Sequence, residues 1–286
     1  MHILITDSGV GGLSVCAYAE RFVRTHGFNE PVRLTFANAA PANDYGYNSM
    51  PDRQTKIATF DRFLNNVMER FAPDCIYVAC NTLSVLMPDT PFVQSPPVPV
   101  KGIVETGVRL IVRELDPRAT AMIFGTQTTI DSGVYPRLLE QHGVDASRIV
   151  AQACPGLADT ISEDREGSRT RAEIKRWVDA AIEKLRDSPP VVACLACTHY
   201  GYRKNVFTGA LADAGICARV INPNERAVDD LFPSPEEGRF SNTEVQFVTR
   251  YAIPQTTIEA LTFFLQNISP KTVESMQNFV HAPDLF

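Results

Sequence analysis

Tyr77-Val-Ala-Cys-Asn-Thr82 is a short apolar run that stops at a cysteine and turns polar, and Val192-Ala-Cys-Leu-Ala-Cys-Thr-His199 repeats that order much later in the chain. Continuous apolar runs of this length read as strands buried on both faces, the habit of a parallel sheet. Working outward, Ile3–Thr6 and Leu34–Phe36 read as strands beside Cys75–Ala79, with helices predicted over Leu13–Val23 and Gln54–Phe71. A proline-dense segment from Pro88 to Pro99 follows, then a short strand and a helix over Gly102–Leu115. Beyond it come strand Ala121–Phe124, helix Ser132–His142, strand Ile149–Ala151, helix Arg169–Arg186 and strand Val191–Ala196. Strands that alternate with helices in this way predict an α/β protein with two parallel-sheet, doubly wound domains. Proline density in Ser95–Val100 marks a stiff linker. A second crossing near Ile221-Asn222-Pro223 returns the chain, so residues 1–100 and 222–286 are expected to form the first domain, with a C-terminal helix Ile258–Gln266, and 101–221 the second.

The chain has 286 residues, enough for two domains of ordinary size without staples. Hydrophobic residues at 44% and charged residues at 21% are ordinary globular values. No apolar stretch approaches the roughly 18 residues of a membrane span. Met1-His-Ile-Leu-Ile-Thr-Asp7 lacks the basic region, apolar core and cleavage site of a secretory signal, so a soluble, cytoplasmic protein with no membrane partner is expected. A net charge of −6 without clustered Lys or Arg excludes nucleic acid as the main partner. An anionic ligand would then be held by backbone N–H groups and hydroxyls. The cysteines number seven, an odd count that favours a reducing compartment over a disulfide framework.

Ligands of doubly wound sheets sit beyond the carboxyl ends of the strands. Four clusters occupy such positions: Asp7-Ser-Gly-Val-Gly-Gly12, Cys80-Asn-Thr82, Gly125-Thr-Gln-Thr-Thr129 and Cys197-Thr-His-Tyr200. The first lacks the Lys-Ser/Thr ending of a phosphate loop and the spacing of a dinucleotide fingerprint, and its plain reading makes Asp7 a helix cap. Cys80 and Cys197 each follow an apolar strand and precede hydroxyl or amide side chains. That placement predicts a partly exposed helix N-terminus favouring thiolate, against the plain alternative of two buried structural cysteines. Their matched placement favours chemistry, because inverting a carbon centre needs a base on one face and an acid on the other. Cys194 and Cys197 also form a CxxC, but no second pair and no clustered histidines accompany it, so no metal is expected and Cys194 is assigned to the core. His199 has the ordinary pKa of a proton shuttle at neutral pH, with a loop histidine as the alternative. Asp7 could serve Cys80 in the same way if the first and third strands are adjacent.

Taken together, Asp7-Ser-Gly-Val-Gly-Gly-Leu-Ser14, Cys80-Asn-Thr-Leu-Ser84, Gly125-Thr-Gln-Thr-Thr-Ile-Asp-Ser132 with Tyr135, Cys154-Pro155 and Cys197-Thr-His-Tyr200 resemble, in order, the aspartate/glutamate racemase family, its glutamate members in particular. The resemblance implies a pseudosymmetric pair of α/β domains with the active site in the cleft between them, and neither pyridoxal phosphate, any other cofactor nor a metal. It implies Cys80 and Cys197 as acid/base thiols assisted by Asp7 and His199, and Asn81, Thr82 and Thr198 as ligands of the α-carboxylate. Ser8, Tyr45, Gly46, Thr126 and Thr129 would contact the ammonium or the distal carboxylate. The implied substrate is a small acidic amino acid, glutamate first and aspartate or another amino acid as the alternative. The implied role is D-glutamate supply for cell-wall peptidoglycan, and the implied assembly a homodimer. A relative that binds an amino acid without turning it over is the non-catalytic alternative. Four departures stand out. Asp44 replaces the family's proline in Asp44-Tyr45-Gly46, placing a carboxylate where a substrate's distal carboxylate is expected. Ser162 and Glu163 compete for the place of a family glutamate. Gly201 stands where proline is common, and Asn222-Pro223 where the family has Asp-Ser.

Overall fold

The computed structural model describes residues 1–43, 45–186, 189–233 and 238–286 and divides into two compact units, Met1–Ile103 with Asn224–Phe286, and Val104–Pro223. Unit 1 begins with β1 (His2–Asp7), α1 (Leu13–His26), β2 (Val32–Asn38), α2 (Arg53–Phe71), β3 (Cys75–Val78), α3 (Asn81–Ser84), α4 (Pro91–Gln94) and β4 (Val100–Gly102). The chain passes along α5 (Ile103–Glu114) into unit 2. There it forms β5 (Thr120–Gly125), α6 (Gln127–Asp131), α7 (Val134–Gln141), β6 (Ile149–Ala153), α8 (Leu157–Glu163), α9 (Ser168–Ile182), β7 (Val191–Ala196), α10 (Lys204–Asp213) and β8 (Ala218–Ile221). It returns to unit 1 with α11 (Val228–Leu231), β9 (Thr243–Thr249), α12 (Gln255–Leu265), α13 (Pro270–Gln277) and β10 (Val280–His281).

Each unit is built on a sheet whose strand pairs are all parallel, ordered β10-β9-β2-β1-β3-β4 in unit 1 and β6-β5-β7-β8 in unit 2. The two orders share a plan. The first strand of each unit lies inside the sheet, the second pairs on one flank, and the third pairs on the other. The chain therefore reverses its winding between β1 and β3, and again between β5 and β7. Such a switch opens a crevice beyond the carboxyl ends of the two strands, because the loops leaving them run to opposite sides.

Burial follows from the apolar runs. Every residue of β5 and β7 is buried, as is β1 from Ile3 onward, so each sheet is covered on both faces. In unit 2 the core joins Met122, Phe124, Val150, Ile174, Val178, Leu195 and Phe207, each worth roughly 1.5–3 kcal/mol when removed from water. The helix predicted over Ser132–His142 is present as α7 but starts two residues later, at Val134, because Gly133 takes a left-handed φ of 63° that separates α7 from the preceding α6. Among the described residues no helix is long and apolar enough to cross a membrane.

Candidate active site

The half-site of unit 1 lies at the β1/β3 switch. β1 and β3 pair directly, and the N–H of Ala79 continues the ladder onto the carbonyl of Thr6 at 2.8 Å, so Asp7 and Cys80 leave the sheet side by side. Cys80 caps α3: its sulfur accepts the N–H of Leu83 at 3.5 Å. The Ser8 hydroxyl lies 3.0 Å from the Cys80 sulfur and donates to Asp7 Oδ1 at 3.5 Å, so Ser8 bridges thiol and carboxylate. Asp7 is 1% exposed, and its place is reserved by Gly12: a Cβ there would lie 2.8 Å from both Cβ and Oδ2 of Asp7. The N-cap of α1 is Gly12 itself, so Asp7 is not a helix cap. Asn81 and Thr82 are buried on α3.

The expected partly exposed, thiolate-favouring setting is corrected here. Cys80 and Cys197 are 5% and 6% exposed. Burial, reinforced by the charge of Asp7, pushes the Cys80 thiol up to about 12, against the smaller opposing pull of the Ser8 and Leu83 hydrogen bonds. A short helix terminus does not offset lost hydration next to a carboxylate.

The half-site of unit 2 lies at the β5/β7 switch. Cys197 follows β7 and is buried with Thr198, its sulfur 3.9 Å from His199 Nδ1. Cys197 does not cap a helix; the next helical turn is Tyr200–Arg203, entered through His199. Thr126 caps α6, accepting the N–H of Thr129 at 3.3 Å, and the two threonine hydroxyls lie 3.0 Å apart. The Tyr200 hydroxyl donates to the carbonyls of Cys154 and Gly125 at 3.1 and 3.4 Å, tying the ends of β6 and β5 to the loop that carries Cys197. Cys194 is wholly buried inside β7, and burial pushes its thiol up to about 12. None of the seven cysteines is in a disulfide. Among the described residues, no group of three or more His, Cys, Asp or Glu could hold a metal ion.

Glu163 ends α8 on the surface, with its side chain 58% exposed and 3.8 Å from the guanidinium of Arg169. Its rival Ser162 turns back onto the carbonyl of Ala158. Tyr45 is 42% exposed, while Gly46 opens a 3₁₀ turn in which the buried ring is that of Tyr47. Asp44 lies outside the described residues.

The family model for Asp/Glu/Hydantoin racemases matches residues 10–231, a span holding both switch-point cysteines. The chain belongs to this racemase family. Racemases are isomerases, so membership makes the chain an enzyme of that class. Within the family it is 30% identical over 207 residues to a glutamate racemase of Nitratiruptor sp., covering 70% of this chain and 72% of that one. It is 29% identical over 217 residues to the glutamate racemase of Aquifex pyrophilus, covering 76% and 78%. Among solved structures, glutamate racemase from Campylobacter jejuni shares the fold with a TM-score of 0.73 at 21% identity, over 93% of this chain and 98% of that chain. The Aquifex pyrophilus enzyme gives 0.67 at 25% identity, over 93% and 95%.

Around the half-site of unit 1 the structure adds residues that no motif singles out. Asn38, at the end of β2, donates to the Tyr251 hydroxyl at 3.1 Å and to Thr249 at 3.4 Å, and the charge of Asp7 reaches the Tyr251 phenol. Asn224 donates to Ser14, which donates to the carbonyl of Gly11, at 2.8 and 2.9 Å, bracing the loop after β1. Both networks join segments more than two hundred residues apart, so neither spacing nor periodicity signals them.

Proposed function

We propose that this chain interconverts L- and D-glutamate without a cofactor, Cys80 and Cys197 exchanging the α-proton from opposite faces. The observation that carries the reading is that each unit places one buried cysteine beyond the third strand of the same switch-point plan. Both lie inside the span matched by the family, and both sit beside a proton-handling group, Asp7 through Ser8 and His199. A thiolate takes the α-proton while the opposing thiol delivers its own. One sulfur gains the proton the other loses, and no oxidant or reductant is needed. Each sulfur would approach the α-carbon at about 3.5 Å.

Cys80 rests as a thiol and is the acid for one direction. For the other, its proton leaves along Ser8 toward Asp7, and the substrate ammonium offsets the cost of the buried thiolate. Asn81, Thr82 and Thr198 hold the α-carboxylate and stabilise the carbanion. Thr126, Thr129, Tyr45 and Gly46 serve the remainder of the substrate. Glutamate is the first choice because the relatives that match most of this chain are glutamate racemases. On the same reading the product is D-glutamate for peptidoglycan, made in the cytoplasm by a homodimer.

The test is a panel of L-amino acids incubated in deuterated water, with α-proton loss followed by NMR and the D-isomer by chiral chromatography. Glutamate should exchange and racemise, and Cys80→Ser and Cys197→Ser should each abolish racemisation. Exchange with aspartate alone would correct the substrate; binding with no exchange of any amino acid would make the chain a binding relative and sink the enzymatic reading.

A further inference from the structure

Tyr47 sits where no motif directs attention. It opens the 3₁₀ turn Tyr47–Ser49 in the loop that follows β2, with its neighbour Tyr45 turned outward, 42% exposed, and itself 1% exposed. Its ring is held edge-on against Phe60 of α2, with centroids 6.3 Å apart. The ring position is therefore set by core packing, and the hydroxyl goes where that packing sends it. Among the described residues that hydroxyl has no hydrogen-bond partner. A buried hydroxyl without a partner is costly, and a native chain that keeps one calls for an explanation. The location offers one: the loop leaves the carboxyl end of β2, whose last residue Asn38 pairs with Asp7 at the end of β1, and Cys80 and Arg62 both act on the phenol. Burial and the Cys80 sulfur hold the phenol well above its ordinary range, so it stays protonated and has a hydrogen to donate. An amino acid bound beside Cys80 carries acceptors only on its carboxylates, because its ammonium has donors alone.

We infer that Tyr47 is a substrate-contacting residue whose hydroxyl donates a hydrogen bond to a carboxylate oxygen of the amino acid bound next to Cys80. The inference rests on the racemase reading for the identity of the ligand but not for the donor's existence. It differs from the family resemblance, which points to Tyr45 in this loop.

The test is Tyr47→Phe, which keeps the ring and removes only the hydroxyl. With nothing to bond in the empty protein, the hydroxyl should be missed only when ligand is present. The unliganded melting temperature of Y47F should match or exceed that of the parent. KM for glutamate in both directions should rise about tenfold or more, the loss of one hydrogen bond to a charged group, with kcat changed far less. The thermal stabilisation conferred by glutamate should shrink in parallel. An unchanged KM overturns the inference, and so does a lower melting temperature of the empty variant with unchanged KM, which would mean that the hydroxyl serves the fold. If the parent turns over no amino acid, the racemase reading fails, and the ligand-induced shift still decides Tyr47. Glutamate stabilising the parent but not Y47F supports the contact, and equal or absent stabilisation refutes it.

Discussion

Cys80 is held as a thiol by two effects of like sign, lost hydration and the charge of Asp7, and the Ser8 and Leu83 hydrogen bonds that oppose them are weaker. On the proposed mechanism Asp7 therefore both raises the cost of the thiolate and offers its proton a destination through Ser8. Asp7→Asn separates these roles. With the charge gone, the Cys80 thiol should titrate at lower pH, read as faster alkylation of the Cys80 peptide at a given alkaline pH. Racemisation should nevertheless fall by about a hundredfold or more, the usual weight of a positioned acid/base group. Faster alkylation with unchanged turnover would remove Asp7 from the proton path. The residues of this path were legible because each stands directly after an apolar strand, where chain order alone implies the crevice. Tyr45 and Tyr47 were not separable in that way, since which side of a loop turns inward depends on Phe60, supplied by a distant helix. The exposure of Glu163 was hidden for a similar reason: α8 buries Leu157 and Ile161 and leaves Glu163 on its outer face.

Elements carry these residues only as precisely as their loops are packed. Gly12 shows this, because the start of α1 passes so close to Asp7 that any Cβ would meet its side chain at 2.8 Å. Gly12→Ala must displace either the helix or the carboxylate, and crowding of this kind costs about 1–3 kcal/mol. A lower denaturant midpoint together with a fall in kcat is expected; full stability with full activity would mean that the loop yields at no cost. Tyr200 has the matching role in unit 2, and Tyr200→Phe removes the one hydroxyl shared between the carbonyls of Cys154 and Gly125, each of which keeps a backbone N–H donor. A loss of about 0.5–1.5 kcal/mol in urea unfolding should follow, the net worth of one hydrogen bond. The strands that begin each unit were readable as unbroken apolar runs. β9 was not, because Thr-Glu-Val-Gln-Phe-Val-Thr mixes polar and apolar residues instead of running apolar, and its place in the sheet comes from pairing with β2 and β10. β10 has two residues, too short for any periodicity to register.

For the whole molecule, two parallel-sheet units were implied by alternating strand and helix patterns, because the central strands of sheets covered on both faces are mostly apolar. The same coverage stores a pH dependence. Cys16 and Cys80 in unit 1 and Cys194 in unit 2 are each pushed by burial from about 9 to about 12. The folded chain thus keeps protons that the unfolded chain releases, so the stabilisation is complete below about pH 9 and is lost as pH climbs toward about 12. Within that window each thiol should lower the unfolding free energy by about 1 kcal/mol per pH unit. Urea midpoints measured from neutral pH upward should hold steady and then fall as the medium becomes alkaline. Cys194→Ala, which removes one titrating group outside the catalytic path, should make the fall shallower even though its cavity lowers stability at every pH. A slope identical to that of the parent would mean that the β7 interior admits enough water to ionise Cys194, against the complete burial of that strand.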